Sequence, residues 1–444
     1  MYTLDWKHAY AGRMRGDGCN PSPDAAAELE ICTARLAGEM TAGRLPFLDL
    51  PFRQEMTTGI ETLLPRLMRF RHMVVLGIGG SALGTRALQK AFFPCQDRFG
   101  HAGPWLWVLD NVDAAELESI MTTLDPAETL IVPVSKSGGT IETLAQYFIT
   151  RDWMCRTLPK SWREHFIFVT DARTGFLREE AERENIPALN VPDNLGGRYS
   201  VISAVGMLPA AFMGLPWQEF LDGIQSVNAQ LVDNPGSAET LREHPAWRLA
   251  NWCSDLYLND YSQLIFFSYI PAWASFGQWF GQLWAESLGK NGKGTMPLPA
   301  VGVTDQHSLQ QMFLDGPKDK GCIQLHCSDT PQDLRFPQTI PDAWSWLRGK
   351  PFAELLQAET LGAAAALARH GVPLTRLRVK HADMHSAGEI MGLLMATTVL
   401  TGLIMDINPL DQPAVELGKR LACSRLGSKN YPEEAALLAE FLAH

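Results

Sequence analysis

The chain has 444 residues and a mass of 49.2 kDa, which favours two domains or one large α/β unit. Hydrophobic residues make up 46% of it and charged residues 20%, as in ordinary globular proteins, so wholesale disorder is excluded. Thirty-eight Lys and Arg against 49 Asp and Glu give a net charge of -11, which argues against a general attraction to nucleic acid or anionic membranes. Any phosphate group must therefore be bound locally.

The sequence predicts neither secretion nor a membrane span. Its longest apolar run, residues 390–405, is too short to cross a membrane and contains three threonines, which favours a buried helix. The N-terminal segment has no apolar core of a secretory signal, and the eight cysteines include no C-x-x-C pair. We therefore expect a cytoplasmic protein with reduced thiols.

From about residue 70, short β-branched or aromatic runs alternate with helical stretches, which is typical of βαβ units and a parallel sheet. The runs occupy residues 73–79, 105–110, 129–134 and 165–171, and later residues 264–269, 300–305, 320–327 and 375–381. The sequence thus predicts an α/β protein with two doubly wound parallel-sheet αβα sandwich domains. The tail from residue 386 is expected to be helical, with a break at the prolines of residues 406–413.

The two domains are predicted to divide near residues 205–245, where a helix is followed by a Pro-Gly linker. No short-period repeat is visible in the sequence. The expected segments are an N-terminal helical extension at 1–45, a first sheet domain at 46–205, a linking helix at 206–245, a second sheet domain at 246–405 and a helical C-terminal tail at 406–444.

The first predicted strand runs into a glycine-rich turn, residues 77–84, with the sequence GIGGSALG, and a helical segment follows. Small residues allow the backbone to approach an anion, and free N–H groups at the helix start point at it. Gly77, Gly79 and Ala82 also fit the dinucleotide fingerprint G-x-G-x-x-G/A, with Asp110 at the end of the next strand as a candidate ribose ligand. A purely structural strand-to-helix turn is the alternative.

A second small loop, residues 135–140 with the sequence SKSGGT, follows the third predicted strand. Its three hydroxyls and one ammonium group form a donor set suited to a compact phosphomonoester, which a dinucleotide site does not need. Both strands can end at the same edge of a parallel sheet, so the two loops can converge on one phosphate. Helix N-capping by Ser or Thr is the alternative for either loop.

These two loops resemble those of a sugar isomerase (SIS) domain, and the later motifs narrow the resemblance to one family. In the order found there, the chain resembles glucose-6-phosphate (phosphoglucose) isomerases in GGRYSVISAVG at 196–206, WAESLGKNG at 284–292, TDQHSLQQ at 304–311 and DQPAVELGK at 411–419. The similarity spans residues 70–425. It implies SIS-type domains and an aldose–ketose isomerase of glycolysis and gluconeogenesis that interconverts glucose 6-phosphate and fructose 6-phosphate through a cis-enediolate.

The resemblance also implies roles for individual residues. Glu286 is expected to be the base that moves a proton between C1 and C2, buried among the aromatic residues of its helix. Arg198 would stabilise the enediolate, for which a permanently charged guanidinium is suited. His307 and Lys419 would assist ring opening. The implied substrate ligands are Gly80, Ser81, Ser135, Lys136, Ser137, Thr140, Gln282 and Gln412.

In this family the working unit is a dimer whose histidine is supplied across the interface. The resemblance therefore implies a homodimer with its active site between the subunits, a sugar-phosphate substrate, and no cofactor, metal, nucleic acid or membrane partner. One departure concerns the second loop, because relatives often carry two adjacent threonines where this chain has Gly139 and Thr140. One hydroxyl donor to the phosphate is then missing.

Three competing hypotheses stay open at the level of sequence. His381, Asp383, His385 and Glu389 would form a metal site if they shared a helix, although the preceding run favours a strand that reaches His381. A non-catalytic sugar-phosphate sensor would need the two loops but not the acid, base and guanidinium together. A dinucleotide-dependent oxidoreductase is supported only by the first loop and the acid after the second strand.

Overall fold

The chain was analysed as a computed structural model that describes residues 2–12, 14, 23–97, 99–329 and 334–443. Within these ranges the strands form two five-stranded sheets. The strands are β1 (Thr3–His8), β2 (His72–Leu76), β3 (Trp105–Leu109), β4 (Thr129–Ser135), β5 (Phe168–Thr170), β6 (Ala188–Asn190), β7 (Gln263–Ser268), β8 (Met296–Val301), β9 (Lys320–Cys327) and β10 (Leu374–Val379).

Helices connect and cover both sheets. They are α1 (Pro23–Thr41), α2 (Pro46–Asp49), α3 (Gln54–Leu67), α4 (Leu83–Phe92), α5 (Ala114–Thr123), α6 (Ile141–Thr157), α7 (Phe176–Glu184), α8 (Ala204–Phe212), α9 (Trp217–Asp233), α10 (Ala238–Glu243), α11 (Pro245–Leu258), α12 (Ala274–Leu288), α13 (Gln310–Asp315), α14 (Phe352–Arg369), α15 (Met384–Ile404), α16 (Glu416–Arg425) and α17 (Pro432–Ala443). The predicted division of the chain into five segments stays a prediction.

The first sheet is parallel, with the strand order β3-β2-β4-β5-β6. Alternate residues of β2 enter different apolar clusters, Met73 and Val75 on one side and Val74 and Leu76 on the other. Burial on both faces explains why these strands read as continuous apolar runs. The chain leaves β2 toward one edge and returns at β4 beside it, so the switch point of the sheet lies between β2 and β4.

The second sheet has the order β1-β10-β9-β7-β8, in which β1 alone runs antiparallel to its neighbour among the described strands. The expected N-terminal extension is therefore not wholly helical, because β1 lies at the edge of this sheet, and residues 15–22 of it are outside the described residues. The predicted strand at 300–305 is also shifted. Its true span, β8, contains Pro297 and Pro299, which an edge strand tolerates but which hide it in the sequence.

One long helix, α15, runs through the interior and packs on α9, α11 and α12. Among the described helices it alone is long and apolar enough to cross a membrane, yet 89% of its most apolar window is buried inside the fold. Its apolar composition therefore follows from its place in the core. The predicted buried helix at 390–405 is confirmed.

The C-terminal tail contains the two helices α16 and α17, which pack on each other after the predicted break at the prolines. Arg420 of α16 forms an ion pair of 2.6 Å with Glu434 of α17. Within the described ranges α16 has no buried side chain, and α17 has only Glu434. The pair exposes the apolar side chains of Leu417, Leu426, Leu437, Phe441 and Leu442.

Candidate active site

The two glycine-rich loops lie at the carboxyl edge of the first sheet, because they follow the neighbouring parallel strands β2 and β4. The first loop forms a short 3-10 turn, Gly79–Ser81, in which Ser81 is half-buried. A Cβ atom at Gly80 would overlap the backbone carbonyl of Gly197. Only glycine lets the loop approach the GGRYS turn this closely, so two distant motifs share one site.

The hydroxyls of the second loop face one another. Ser135 Oγ lies 2.8 Å from Thr140 Oγ1 and 3.4 Å from Ser137 Oγ, and the backbone N–H of Thr140 donates to Ser135 Oγ at 3.4 Å. Thr140 is the N-cap residue of α6, but in the described structure its hydroxyl accepts no capping hydrogen bond. The capping alternative is therefore not supported, and the clustered hydroxyls are suited to phosphoryl oxygens.

Lys136 stands half-buried beside this cluster, and its Nζ donates to the backbone oxygen of Asp193 at 3.1 Å. Burial lowers the pKa of Lys136, and the nearby charge of Arg198 acts in the same direction, whereas Asp193 and Asp171 oppose both effects. The second loop and the GGRYS turn thus lie within electrostatic reach of each other.

Arg198 is the centre of the site. Its side chain is only 1% exposed, and a buried guanidinium is costly unless its N–H groups are paired. Its acceptors are Ser287 Oγ at 2.6 Å, Gln412 Oε1 at 2.9 Å, Glu286 Oε2 at 3.4 Å and the backbone oxygens of Pro409 at 2.5 Å and Asp411 at 3.1 Å. One cation therefore joins the GGRYS turn, the end of α12 and the segment before α16.

Glu286 faces this guanidinium and a neighbouring amide. Gln282, one helical turn earlier on α12, donates from Nε2 to Glu286 Oε1 at 2.9 Å. We expected burial among the aromatic residues of the helix, but Glu286 is 29% exposed. Trp279, Phe280 and Trp284 are buried in the core, whereas Glu286 lies at the edge of the buried face of α12.

Gln282 and Gln412 flank the Arg198–Glu286 pair. Gln282 packs against the first loop, where a Cβ atom at Gly79 would lie 2.9 Å from its Nε2 atom. Its Oε1 atom is buried and makes no hydrogen bond to any described residue. An amide acceptor without a hydrogen bond to the described residues thus lies next to Glu286.

The segment that carries Gln412 is fastened to the end of α12. Lys290 Nζ lies 2.8 Å from Asp411 Oδ1 and also donates to the backbone oxygen of Asn408. This hydrogen bond to Lys290 lowers the pKa of Asp411. Sequence reasoning missed Ser287, Lys290 and Asp411, although all three lie within the motifs that carry the family resemblance.

His307 and Lys419 are not brought to this cluster within one chain. His307 follows a 3-10 turn after β8, is exposed, and its ring hydrogen-bonds to no side chain or backbone group in the described part of the chain. Lys419 is exposed on α16 and forms an ion pair of 2.8 Å with Glu416. The other predicted ligands lie at the edge of the first sheet or beside Arg198.

Asp110, the candidate ribose ligand of the dinucleotide hypothesis, is paired with an arginine. Asp110 accepts two hydrogen bonds from Arg86 of α4, at 2.9 and 2.8 Å, so this carboxylate is already neutralised where a ribose would need it. This pairing weighs against the dinucleotide hypothesis.

The histidines of the metal hypothesis do not converge. β10 ends at Val379 and α15 begins at Met384, so His381 precedes the helix and instead lies 3.6 Å from Asp329. Asp383 caps α15 by accepting from the N–H of Ser386 at 2.8 Å. Among the described residues no group of three His, Cys, Asp or Glu side chains is placed to hold a metal.

The fold and site define a doubly wound α/β protein in which two glycine- and hydroxyl-rich loops at one sheet edge lie next to a guanidinium–carboxylate pair. The family model for phosphoglucose isomerase matches residues 65–298. A glucose-6-phosphate isomerase of Rubrobacter xylanophilus is 36% identical over 423 residues, covering 91% of this chain and 95% of the relative. A glucose-6-phosphate isomerase of Thermus thermophilus is 35% identical, covering 86% and 90%. The chain belongs to the phosphoglucose isomerase family, as its motifs predicted.

Solved structures share this fold. A hypothetical protein from Thermus thermophilus superposes with a TM-score of 0.84 at 32% identity, covering 96% of this chain and 100% of that one. A glucose-6-phosphate isomerase from Chlamydia trachomatis superposes with a TM-score of 0.70 at 21% identity, covering 94% and 81%, and shows the fold alone. The predicted α/β fold class is confirmed.

Proposed function

We propose that this chain catalyses the reversible isomerisation of glucose 6-phosphate and fructose 6-phosphate, the activity for which its relatives are named. The observation that carries the proposal is the buried guanidinium of Arg198, which contacts both Glu286 and Gln412 beside two phosphate-type loops. A sensor needs the loops but no carboxylate paired with a buried cation.

The phosphate is held at the edge of the first sheet, where the loops that follow the neighbouring strands β2 and β4 supply hydroxyl and backbone donors. The positive charge of Lys136 favours the phosphate dianion. The proposed ligands are Gly80, Ser81, Ser135, Lys136, Ser137 and Thr140. Gln282 and Gln412 orient sugar hydroxyls.

Ring opening precedes isomerisation. The C1–O5 bond of the pyranose breaks, O5 receives a proton, and the O1 hydroxyl loses its proton as the C1 carbonyl forms. His307 and Lys419 carry these protons, because an imidazole can both donate and accept near neutral pH.

Proton transfer in the open-chain sugar follows. Glu286 removes the proton from C2, and the electron pair forms the C1–C2 double bond while O1 becomes negative. Arg198 stabilises that charge. The O2 proton moves to O1, the C2 carbonyl forms, and Glu286 returns its proton to C1.

We further propose a cytoplasmic homodimer whose active site lies between the subunits. The exposure of His307 and Lys419 supports this assembly, because neither reaches the Arg198 cluster within the described part of one chain. The apolar side chains that α16 and α17 expose supply a surface for a second copy.

The test is conversion of fructose 6-phosphate to glucose 6-phosphate, followed with a coupled dehydrogenase in the presence of EDTA. Glu286→Gln should lower turnover by about 10²–10⁴-fold while substrate binding persists, because the amide cannot remove the C1 proton of fructose 6-phosphate. Glu118→Gln, an exposed change on α5, is the matched control. Wild type without turnover, or Glu286→Gln with more than a few percent of wild-type activity, would contradict the proposal.

A further inference from the structure

The turn that carries His307 is tied to the second sheet by a chain of three side chains that the proposed mechanism does not use. Tyr269, directly after β7, is buried, and its hydroxyl donates to Gln306 Oε1 at 2.8 Å. Gln306 Nε2 in turn donates to Glu359 Oε2 of α14 at 2.9 Å. The chain ends one residue before His307.

The orientation of the Gln306 amide is fixed by these two partners. Its N–H group faces a carboxylate, which only accepts, and its oxygen faces the phenol hydroxyl. Burial raises the pKa of Tyr269, so the phenol keeps the proton that it donates. Turning the amide over would place its oxygen against the Glu359 carboxylate.

The backbone on either side of His307 is also held. A Cβ atom at Gly302 would overlap the ring of Tyr269, so ring and turn are in direct contact. Asp305 accepts from the N–H of Val301 and from the hydroxyl of Ser308, each at 2.7 Å. The turn is therefore rigid, whereas the imidazole that it carries is exposed.

We infer that Tyr269, Gln306 and Glu359 are positioning residues that aim the His307 imidazole at the sugar ring during ring opening. The inference rests on the proposed function. An exposed side chain on a loose turn would meet the substrate of another subunit in many orientations, and a displacement of about 1 Å can cost 10²-fold in rate. A turn fixed by these contacts removes that cost.

The experiment compares two substrates on the full-length protein. Fructose 6-phosphate must be opened, whereas 5-deoxyfructose 6-phosphate lacks the hydroxyl that closes the ring and is already open. Tyr269→Phe keeps the ring contact with Gly302 but loses the hydrogen bond to Gln306. Its kcat on fructose 6-phosphate should fall about tenfold, and its kcat on the open analogue should change less than about twofold.

Two further variants separate positioning from stability. Glu359→Leu should behave like Tyr269→Phe, whereas Glu359→Gln retains an acceptor for Gln306 and should recover most of the lost rate. Tyr147→Phe is the matched control, because Tyr147 also donates a buried hydrogen bond, to Glu180 at 2.9 Å, in the first domain. Loss of this hydrogen bond should lower the melting temperature without changing the ratio of kcat on the two substrates.

Equal losses on both substrates, or unchanged kcat in both Tyr269→Phe and Glu359→Leu, would overturn the inference. A folded wild type without activity on either sugar would instead refute the proposed function. The two failures are thus distinguishable, since one appears in the wild type and the other only in the variants.

Discussion

The Arg198 cluster and the pair His307 and Lys419 are built in opposite ways. Arg198, in the GGRYS turn, is buried and donates to groups from α12 and from the segment before α16. His307 and Lys419 are exposed, and neither contacts that cluster in the described residues of one chain. A buried cation must be paired within its own chain, because an unpaired buried charge is costly. An exposed acid–base group can instead act on a substrate bound by another subunit.

After the loss of the Glu286 carboxylate, the largest effect should come from Arg198→Lys, which tests whether the Arg198 cluster works as a unit. An ammonium cannot reach all five acceptors, so we expect turnover to fall roughly 10²–10³-fold, as when a donor to a developing oxyanion is lost. Stability should fall as well, because the Pro409 and Asp411 carbonyls lose their donor. Turnover and urea unfolding are measured together.

Arg156→Lys is the control for this change, because Arg156 forms an exposed ion pair with Asp152 on α6. It should alter neither activity nor stability appreciably. Arg198→Lys with more than a tenth of wild-type turnover would show that the cluster is not needed for the reaction.

His307→Ala tests the role of the exposed pair His307 and Lys419. Turnover of fructose 6-phosphate should fall by about 10²-fold, because a general acid–base group is lost from ring opening. Turnover of 5-deoxyfructose 6-phosphate should be nearly unchanged. His370→Ala, at the exposed end of α14, is the control. Equal losses on the two substrates would remove His307 from ring opening.

Mixed dimers test directly whether the two halves belong to different subunits. Co-expressed Glu286→Gln and His307→Ala chains, each reduced about 10²-fold or more alone on fructose 6-phosphate, should recover about a quarter of wild-type activity on that substrate, because half of the dimers are mixed and each has one intact site. Glu286→Gln mixed with Arg198→Lys should recover nothing, since both residues belong to the same cluster. Mixed dimers without recovery in the first case would place His307 in its own subunit's site.

The smallest effect concerns the stability of the second sheet. Burial, together with the charges of Arg376 and Arg378, lowers the pKa of His326 to about 4. An unfolded histidine takes up its proton near pH 6.5, so between these values the unfolded chain binds more protons and stability falls as the pH falls. From pH 7 to pH 5 this costs about 2 kcal/mol.

His326→Gln should therefore lose about 2 kcal/mol less stability over this interval than the wild type, as measured by urea unfolding at both pH values. Parallel pH dependence in the two proteins would show that His326 does not contribute. Turnover of fructose 6-phosphate at pH 7 should be the same in His326→Gln and in the wild type.

Four of the five strands of the first sheet, β2 to β5, could be predicted because their information is local. Continuous apolar runs mark strands buried on both faces, and Gly and Ser mark the loops that follow them. β1 could not be found this way, since its pairing with β10 joins Thr3 to Arg378 at the other end of the sequence. Likewise, the prolines of β8 are acceptable only because that strand lies at an edge.

The candidate site was predicted residue by residue from motifs, but its connections were not. Nothing near Ser287 or Asp411 in the sequence shows that both bind Arg198, because that contact depends on how distant segments pack. The exposure of Glu286 was missed for a similar reason. A helix rich in tryptophan is predicted to have a buried face, but this pattern does not show whether a residue at the border of that face is buried or exposed.

The hydrogen bonds of Arg198 Nη2 also determine when the Arg198 cluster can form during protein synthesis. Both of its described acceptors, the backbone oxygens of Pro409 and Asp411, leave the ribosome long after Arg198 itself. Domains fold from the N-terminus as they emerge, so the first sheet can form while this guanidinium is still hydrated. The cluster therefore closes only after residues 409–412 have been synthesised.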